Sequence, residues 1–316
     1  MKFSVIIPCF NVGKYLKSTI DSVIGQKGNF ELEIILVDDC STDNTWDIIN
    51  SYVNNQIICL RNIENRGVSY TRNVGISNSC GDFIYFLDGD DLLLPNSFSK
   101  IAETLRNNTQ IDIYSFGYEL SYHDRKKMLN SPQYNNRLFE AKKFLELFLR
   151  RRVKQCMCSF VVKRDLFSKH EIHFDSNTYS GEDQEVQILC MYFANEIFYS
   201  SDILFVYQMR DGSFMKSNFN KRRFTTMDVY KRLFKRIHDF NLKTLLSTYF
   251  TVEYFSLLRH ASKSGNSEFV LEALTHRSIL NDKTEISLDK QSLLVLLLKM
   301  WHKIGLKLLL NIFRKY

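Results

Sequence analysis

The 316-residue sequence predicts an α/β protein, a mostly parallel sheet flanked by helices, followed by a C-terminal helical extension. Three observations lead there. Short continuous apolar runs alternate with segments of helical periodicity up to about residue 117, the pattern of strands buried on both faces by crossover helices. Acidic residues follow two of those runs directly, at Asp38-Asp39 and at Asp88-Gly89-Asp90-Asp91. From about residue 220 the periodicity is helical almost throughout, in 224–240, 244–262, 267–275 and 291–313.

Residues 3–7 (Phe-Ser-Val-Ile-Ile) read as the first strand. Tyr15, Leu16, Ile20, Val23 and Ile24 then recur at helical spacing, with Gly25 near the stop. A second strand covers 32–37 and ends on Asp38-Asp39; Ser41 and Asp43 are placed to cap a helix over about 44–54. Strands are predicted near 57–61 and 83–87 with a helix near 68–79 between them, then a helix over about 95–107 and a strand near 111–117. In such sheets ligands bind beyond the carboxyl ends of the strands, where the strand order switches. Polar residues just after the strands are therefore the ones expected to carry chemistry.

Apolar residues make up 45% of the chain, with 25 Phe, 16 Tyr and only 3 Pro, so a sizeable core can form and disorder is excluded. The seven cysteines are an odd number, and Cys9, Cys59 and Cys190 lie within apolar runs, as expected for buried thiols of a reduced compartment. Cys156 and Cys158 have no second pair at zinc-ligand spacing, and His170 and His173 have no carboxylate partner, so neither pair is read as a metal site. Pro8 follows the Met1-Lys2-Phe3-Ser4 start too soon for a signal peptide, and no stretch approaches the roughly 20 apolar residues of a membrane span, so a cytoplasmic location is expected. Of the net charge of +7, six positive charges fall on Lys290, Lys299, Lys303, Lys307, Arg314 and Lys315, with no acid among them. A nucleic-acid binder would carry its basic face on the folded body, so nucleic acid is not an expected partner.

The strongest chemical signal is Phe86-Leu87-Asp88-Gly89-Asp90-Asp91. Three carboxylates in four residues repel one another unless a cation relieves them, and Mg²⁺ takes one or two carboxylates and completes its shell with water and phosphate oxygens. An exposed acidic turn is the plainer alternative. Asp39 ends the second strand in the same way, and Phe10 and Asn11 end the first. Asn65-Arg66-Gly67 opens a helix that carries Arg72, an arrangement suited to phosphate or, more plainly, to a solvated face. Gly181-Glu182-Asp183 opens an apolar helix, where acids either serve the helix dipole or supply a general base.

The order of these motifs resembles the family 2 glycosyltransferases, inverting enzymes of the GT-A nucleotide-diphospho-sugar transferase fold. The resemblance is carried by Val5-Ile6-Ile7-Pro8-Cys9-Phe10-Asn11, Val37-Asp38-Asp39-Cys40-Ser41, Asn65-Arg66-Gly67, Arg72-Asn73-Val74-Gly75-Ile76 and Leu87-Asp88-Gly89-Asp90-Asp91. Gly181-Glu182-Asp183 resembles the family's base motif, and Tyr207 through Ser213 its closing segment, so the likeness runs over about 3–215. It implies that Pro8, Phe10 and Asn11 flank the base of a nucleotide-sugar, UDP-linked above all, and that Asp39 accepts a hydrogen bond from that base. It further implies that Arg72 and Asp88 touch the donor, that Asp90 with Asp88 holds Mg²⁺ or Mn²⁺, and that Asp183 is the base with Glu182 in support. The sequence departs from the family at Gly89, where Ser is frequent, and at Cys40, where Gly is frequent; neither position is a ligand, so both departures are expected to be mild.

The resemblance places a glycosyltransferase domain over 1–218, with a nucleotide-binding half over about 1–117 and an acceptor half over about 118–218, and leaves 219–316 as a helical region. Its members of this size often build bacterial capsule or O-antigen repeat units, which makes a saccharide the expected acceptor, lipid-pyrophosphate-linked where a membrane is involved. Lys299, Lys303 and Lys307 form one stripe on a helix whose apolar residues turn away, so 290–316 reads either as a helix in peripheral contact with the inner face of the membrane or as a terminal helix packed on the domain. Arg150-Arg151-Arg152 and Lys154 read as solvated surface, with a grip on that pyrophosphate as the sharper alternative. Two competing functions remain: a sugar nucleotidyltransferase, which should carry a Gly-rich basic loop where Cys9-Phe10-Asn11 stands, and a nucleotide-sugar-binding module without catalysis, which would not need Asp183.

Overall fold

A computed structural model describes residues 1–52, 56–122, 125–130 (backbone only), 134–209 and 219–284. The predicted C-terminal helix within 290–316 and the segment Arg210-Asp211-Gly212-Ser213 lie outside the described residues. In chain order the first unit opens with β1 (Lys2–Cys9), α1 (Gly13–Ile24), β2 (Glu31–Asp38), α2 (Thr45–Asn50), β3 (Ile57–Arg61), α3 (Val68–Ser77), β4 (Phe83–Phe86), β5 (Leu92–Leu93), α4 (Ser97–Asn107) and β6 (Ile111–Tyr122). The chain continues through β7 (Arg125–Asn130), β8 (Arg137–Glu140), α5 (Ala141–Leu149), β9 (Phe160–Lys163), α6 (Asp165–Lys169), α7 (Glu182–Phe193) and β10 (Glu196–Met209). The C-terminal helices are α8 (Thr225–Arg236), α9 (Phe240–Lys263) and α10 (Ser267–Thr275). The chain divides into two compact units. One comprises Met1–Leu145, Val153–Ser176 and Val186–Phe214; the other Glu146–Arg152, Asn177–Glu185 and Met215–Tyr316.

The first unit is built on a mixed sheet with strand order β3-β2-β1-β4-β9-β6-β10-β5, with β7 beside β6 and β8 beside β10. The run β3-β2-β1-β4 is wholly parallel, as the continuous apolar strands predict. Beyond it β9 pairs antiparallel with both β4 and β6, so the sheet as a whole is mixed. The β10 strand runs parallel to β6 with register shifts at Tyr199 and Ile203. Phe3, Val5, Ile7, Leu16, Ile20, Val23, Tyr85 and Phe98 form the heart of one face, all fully buried. Helix α3 presses on the other face of β1 so closely that a Cβ at Gly75 would overlap Ile6 Cγ2. That approach is what demands glycine there.

Two local predictions need correction. Helix α2 spans only Thr45–Asn50, and Ser41 does not cap it. Its hydroxyl instead accepts the Asn11 N–H at 3.0 Å, while Asp43 takes the Thr45 N–H at 3.0 Å and the Gly13 N–H at 3.0 Å. Asp43 thus joins the starts of α1 and α2. Burial acts to raise its pKa, but those hydrogen bonds outweigh it and the carboxyl lies below its usual value.

In the second unit α8, α9 and α10 bury Val229, Leu233, Leu246, Phe250, Leu258 and Ala261. Arg151 belongs to this unit: it pairs with Glu253 and lies over the Tyr249 ring at 4.5 Å, so its guanidinium is already engaged. Arg152 is exposed, and so is Lys154. Among the described residues no helix is long and apolar enough to cross a membrane.

Candidate active site

Because β2, β1 and β4 are parallel neighbours, their carboxyl ends lie along one edge of the sheet, at the point where the order turns from β2 to β4 about β1. The Asp39 N–H donates to Cys9 O at 2.8 Å and the Leu87 N–H to Ile6 O at 3.1 Å, which aligns the three tips. Phe10, Asn11, Asp39 and the turn Asp88–Asp91 are therefore brought together. Pro8 is buried inside β1, opposite Val37, and Phe10 beside it is 45% exposed.

Asp39 is 3% exposed. Its Oδ1 accepts from Asn62 Nδ2 at 2.7 Å and from the Arg66 N–H at 3.0 Å, and its Oδ2 accepts from the Gly67 N–H at 2.7 Å. The carboxylate thus folds the 62–67 loop around itself. A carboxylate has about four acceptor positions, so lone-pair capacity remains for a ligand donor. Asn11 is spent differently: held at φ 51°, it uses its Oδ1 to accept the Thr42 N–H at 2.8 Å. This ties the tip of β1 to the tip of β2.

The acidic turn is fixed from several sides. Thr19 Oγ1 on α1 donates to Gly89 O at 3.1 Å, the Asp91 N–H donates to Asp88 O at 3.0 Å, and the Gln208 N–H of β10 donates to Asp91 Oδ1 at 2.9 Å. A Cβ on Gly89 would stand 3.0 Å from Val12 Cγ2 and 3.2 Å from Pro8 O. The departure at Gly89 therefore has a packing consequence. At Cys40 the backbone takes φ 60°, the left-handed region that suits the family's glycine and strains a cysteine.

Arg72 is not a solvated face: it is 3% exposed, and its Nη2 donates to Asp88 Oδ1 at 3.0 Å. Its guanidinium also lies 5.3 Å from the Phe174 ring centroid. Asn73 holds Phe174 in place by two backbone bonds, from Nδ2 to Phe174 O at 2.6 Å and to Oδ1 from the Phe174 N–H at 2.9 Å. Phe174 in turn meets Phe86 edge-on at 5.4 Å. No local signal in the sequence points to Phe174, which lies about 100 residues from its partners.

Among the described residues, one set could hold a metal ion: Asp88, Asp91 and Cys158, whose ligand atoms lie within 4.8 Å of one another. Burial pushes the Cys158 thiol well up, and the charges of Asp88 and Asp91 add to that. A protonated thiol is a poor ligand for a hard divalent cation, whereas carboxylate oxygens suit one. Asp90, in the same turn, is half-buried; its charge adds to burial in raising the thiol pKa of Cys9 and the phenol pKa of Tyr207. The oxygen donors of this turn fit Mg²⁺ or Mn²⁺ and the sulfur does not.

Glu182 and Asp183 stand in the first turn of α7 and are half-buried. They belong to the second unit, and Gly181 before them takes φ 90°, where glycine is needed. His173 is exposed, and His170 stacks on Phe193 at 4.1 Å.

A family comparison matches Glycosyl transferase family 2 over residues 4–170, more than half of the chain. The chain belongs to glycosyl transferase family 2. This family 2 enzyme is 26% identical to the glycosyltransferase GlyG of Streptococcus pneumoniae serotype 4 over 271 residues, covering 81% of this chain and 86% of that protein. It is 29% identical to the poly(ribitol-phosphate) beta-N-acetylglucosaminyltransferase TarS of Staphylococcus aureus over 227 residues, 69% of this chain and 37% of TarS. The fold agrees with the crystal structure of S. aureus TarS 1-349 in complex with UDP-GlcNAc, at a TM-score of 0.72 and 21% identity over 88% of this chain and 81% of that one. The architecture is thus the GT-A fold, with helices following it. The family 2 glycosyltransferase carries its motifs where the sheet requires them, at the strand tips.

Proposed function

We propose that this glycosyltransferase moves a sugar, with inversion, from a UDP-linked donor to a hydroxyl of a saccharide acceptor in surface polysaccharide synthesis. The observation that supports it most is the single sheet edge carrying Phe10, Asp39 and the Asp88–Asp91 turn. Relatives point the same way. TarS is named a beta-N-acetylglucosaminyltransferase, and an E. coli relative 38% identical over 115 residues is named a UDP-Glc:alpha-D-GlcNAc-diphosphoundecaprenol beta-1,3-glucosyltransferase.

In this reading Pro8 and Phe10 flank the base, Asn11 sets the loop beside it, and Asp39 accepts an N–H of the base with its remaining lone pair. Asp88 faces the ribose and, with Asp90, would hold Mg²⁺ or Mn²⁺. The bound cation would offset the charge of the diphosphate. Arg72 acts on the donor through Asp88, since it is buried and already paired. Asp183, with Glu182 in support, takes the proton from the acceptor hydroxyl as its oxygen attacks the anomeric carbon and the nucleoside diphosphate leaves from the opposite face. Residues 1–218 are assigned to this domain, its donor half over about 1–117 and its acceptor half over about 118–218. A lipid-pyrophosphate-linked acceptor would place the enzyme on the cytoplasmic face of the membrane, with 290–316 in contact with it.

The test is a screen of UDP-sugars with Mn²⁺, reading release of UDP, in wild type and Asp183→Asn. The variant is expected to lose about 10²–10⁴-fold in turnover while keeping donor affinity. Unchanged turnover would remove Asp183 from the mechanism.

A further inference from the structure

The segment that carries the proposed base is bolted to α8 by a network the family motif does not contain. Arg232, two-thirds buried on α8, grips Glu185 with Nε to Oε1 at 2.7 Å and Nη2 to Oε2 at 2.6 Å. Glu185 is 5% exposed and sits in the first turn of α7, two residues after Asp183. The same Arg232 Nη2 donates to Thr178 Oγ1 at 2.6 Å, so one guanidinium holds both sides of the Ser180-Gly181-Glu182-Asp183 turn. The middle of the turn is fastened separately. Thr225 Oγ1 accepts the Tyr179 N–H at 3.1 Å and the Ser180 N–H at 3.0 Å, and Thr226 Oγ1 donates to Ser180 O at 3.1 Å. Gly181 leaves room for this, since a Cβ there would meet Thr226 Cα at 3.3 Å.

A fork–fork pair between guanidinium and carboxylate fixes direction as well as distance, which a single point charge cannot do. Reach decides whether a base works, because it must lie within hydrogen-bond distance of the hydroxyl it deprotonates. Neither Arg232 nor Glu185 need touch the substrate for this. We propose that Arg232, acting through Glu185 and Thr178, is a positioning residue for the acceptor-activating carboxylate, so that α8 sets the orientation of Asp183. This rests on the reading of Asp183 as the base.

The experiment is a double-mutant cycle on UDP release from UDP-GlcNAc and UDP-glucose, with UDP affinity measured by calorimetry. Arg232→Gln in the wild-type background is expected to lower kcat about 10- to 100-fold, the scale of a base displaced by roughly 1 Å, with UDP affinity changed less than about twofold. Arg232→Lys should recover part of the loss, and Thr178→Val, which removes one hydrogen bond, should cost less than either. In the Asp183→Asn background Arg232→Gln should change the residual rate by less than about twofold, because the group it positions is gone. An equal loss in both backgrounds, or wild-type kcat in Arg232→Gln, overturns the inference while leaving the base reading intact. Wild-type turnover in Asp183→Asn alone overturns both. Should Arg232→Gln fail to fold, the cycle run with Thr178→Val and Arg232→Lys separates the same outcomes.

Discussion

Replacing Arg72 by Met should weaken both the fold and the donor site. Methionine keeps most of the volume and the apolar contact with Phe174 but removes the charge and the bond to Asp88 at 3.0 Å. Removing one partner of a fully buried pair costs about 3–5 kcal/mol, and an exposed pair contributes about 0.2–1 kcal/mol. Here Arg72 is 3% exposed but Asp88 is 33% exposed and keeps some water, so the expected loss lies between, about 2 kcal/mol. At roughly 2–4 °C per kcal/mol for a domain of this size, Tm should fall by about 4–8 °C. Asp88, no longer held, should cost about tenfold in UDP affinity, or ~1.4 kcal/mol. Scanning calorimetry and titration with UDP and Mn²⁺ read the two effects. Wild-type Tm and affinity in Arg72→Met would refute the reasoning, and a fall in Tm with unchanged affinity would reduce Arg72 to a packing role.

Cys158→Ser should retain turnover within about threefold and show an unchanged Mn²⁺ requirement, since the protonated thiol is not a cation ligand in this account; a lost or altered metal preference, read from activity across a Mn²⁺ and Mg²⁺ series, would make it one. Gly75→Ala should destabilise by about 1–3 kcal/mol in denaturant unfolding, because its methyl would overlap Ile6 in a filled core, and an unchanged midpoint would show that α3 can move off β1 at no cost. Cys40→Gly should be neutral or stabilise by up to about 1 kcal/mol by relieving the left-handed backbone, and a clear loss of Tm would count against strain there. Glu33 gives a pH signature. Burial acts to raise its pKa, but bonds from Cys80, Lys2 and Ser4 overcome this and lower it from 4.5 to about 2. A depressed folded value means stability that is complete above pH ~4.5 and lost as pH falls towards about 2, on the order of 3 kcal/mol in all. Glu33→Gln should flatten that acid limb in urea titrations, and an unchanged slope would exclude the group.

The parallel half of the sheet was legible because β1, β2 and β4 are buried on both faces and read as unbroken apolar runs. The β10 strand was not, since Ser200-Ser201-Asp202 looks like a turn and falls where the register with β6 shifts. Helix α2 stops at Asn50, short of the predicted 54, because residues 51–52 leave the helix in a turn. At the site, the local motifs placed Phe10, Asp39 and Asp88 on one edge, for strand tips follow from strand order. Partnerships across long sequence distances were invisible. Arg72 is buried because Phe174 closes over it, and Cys158 reaches Asp88 because β9 pairs antiparallel with β4. Arg232 lies on a helix whose periodicity is plain in the sequence, while its contact with Glu185, 47 residues away, is not.

Calorimetric titration of UDP tests most directly whether carboxylates at the strand tips grip a nucleoside diphosphate together with a divalent cation. Wild-type protein should bind UDP at least about tenfold more tightly with Mn²⁺ than with a chelator present, a difference of ~1.4 kcal/mol, and Asp90→Asn should abolish it. Equal binding with and without Mn²⁺ in both proteins would contradict it.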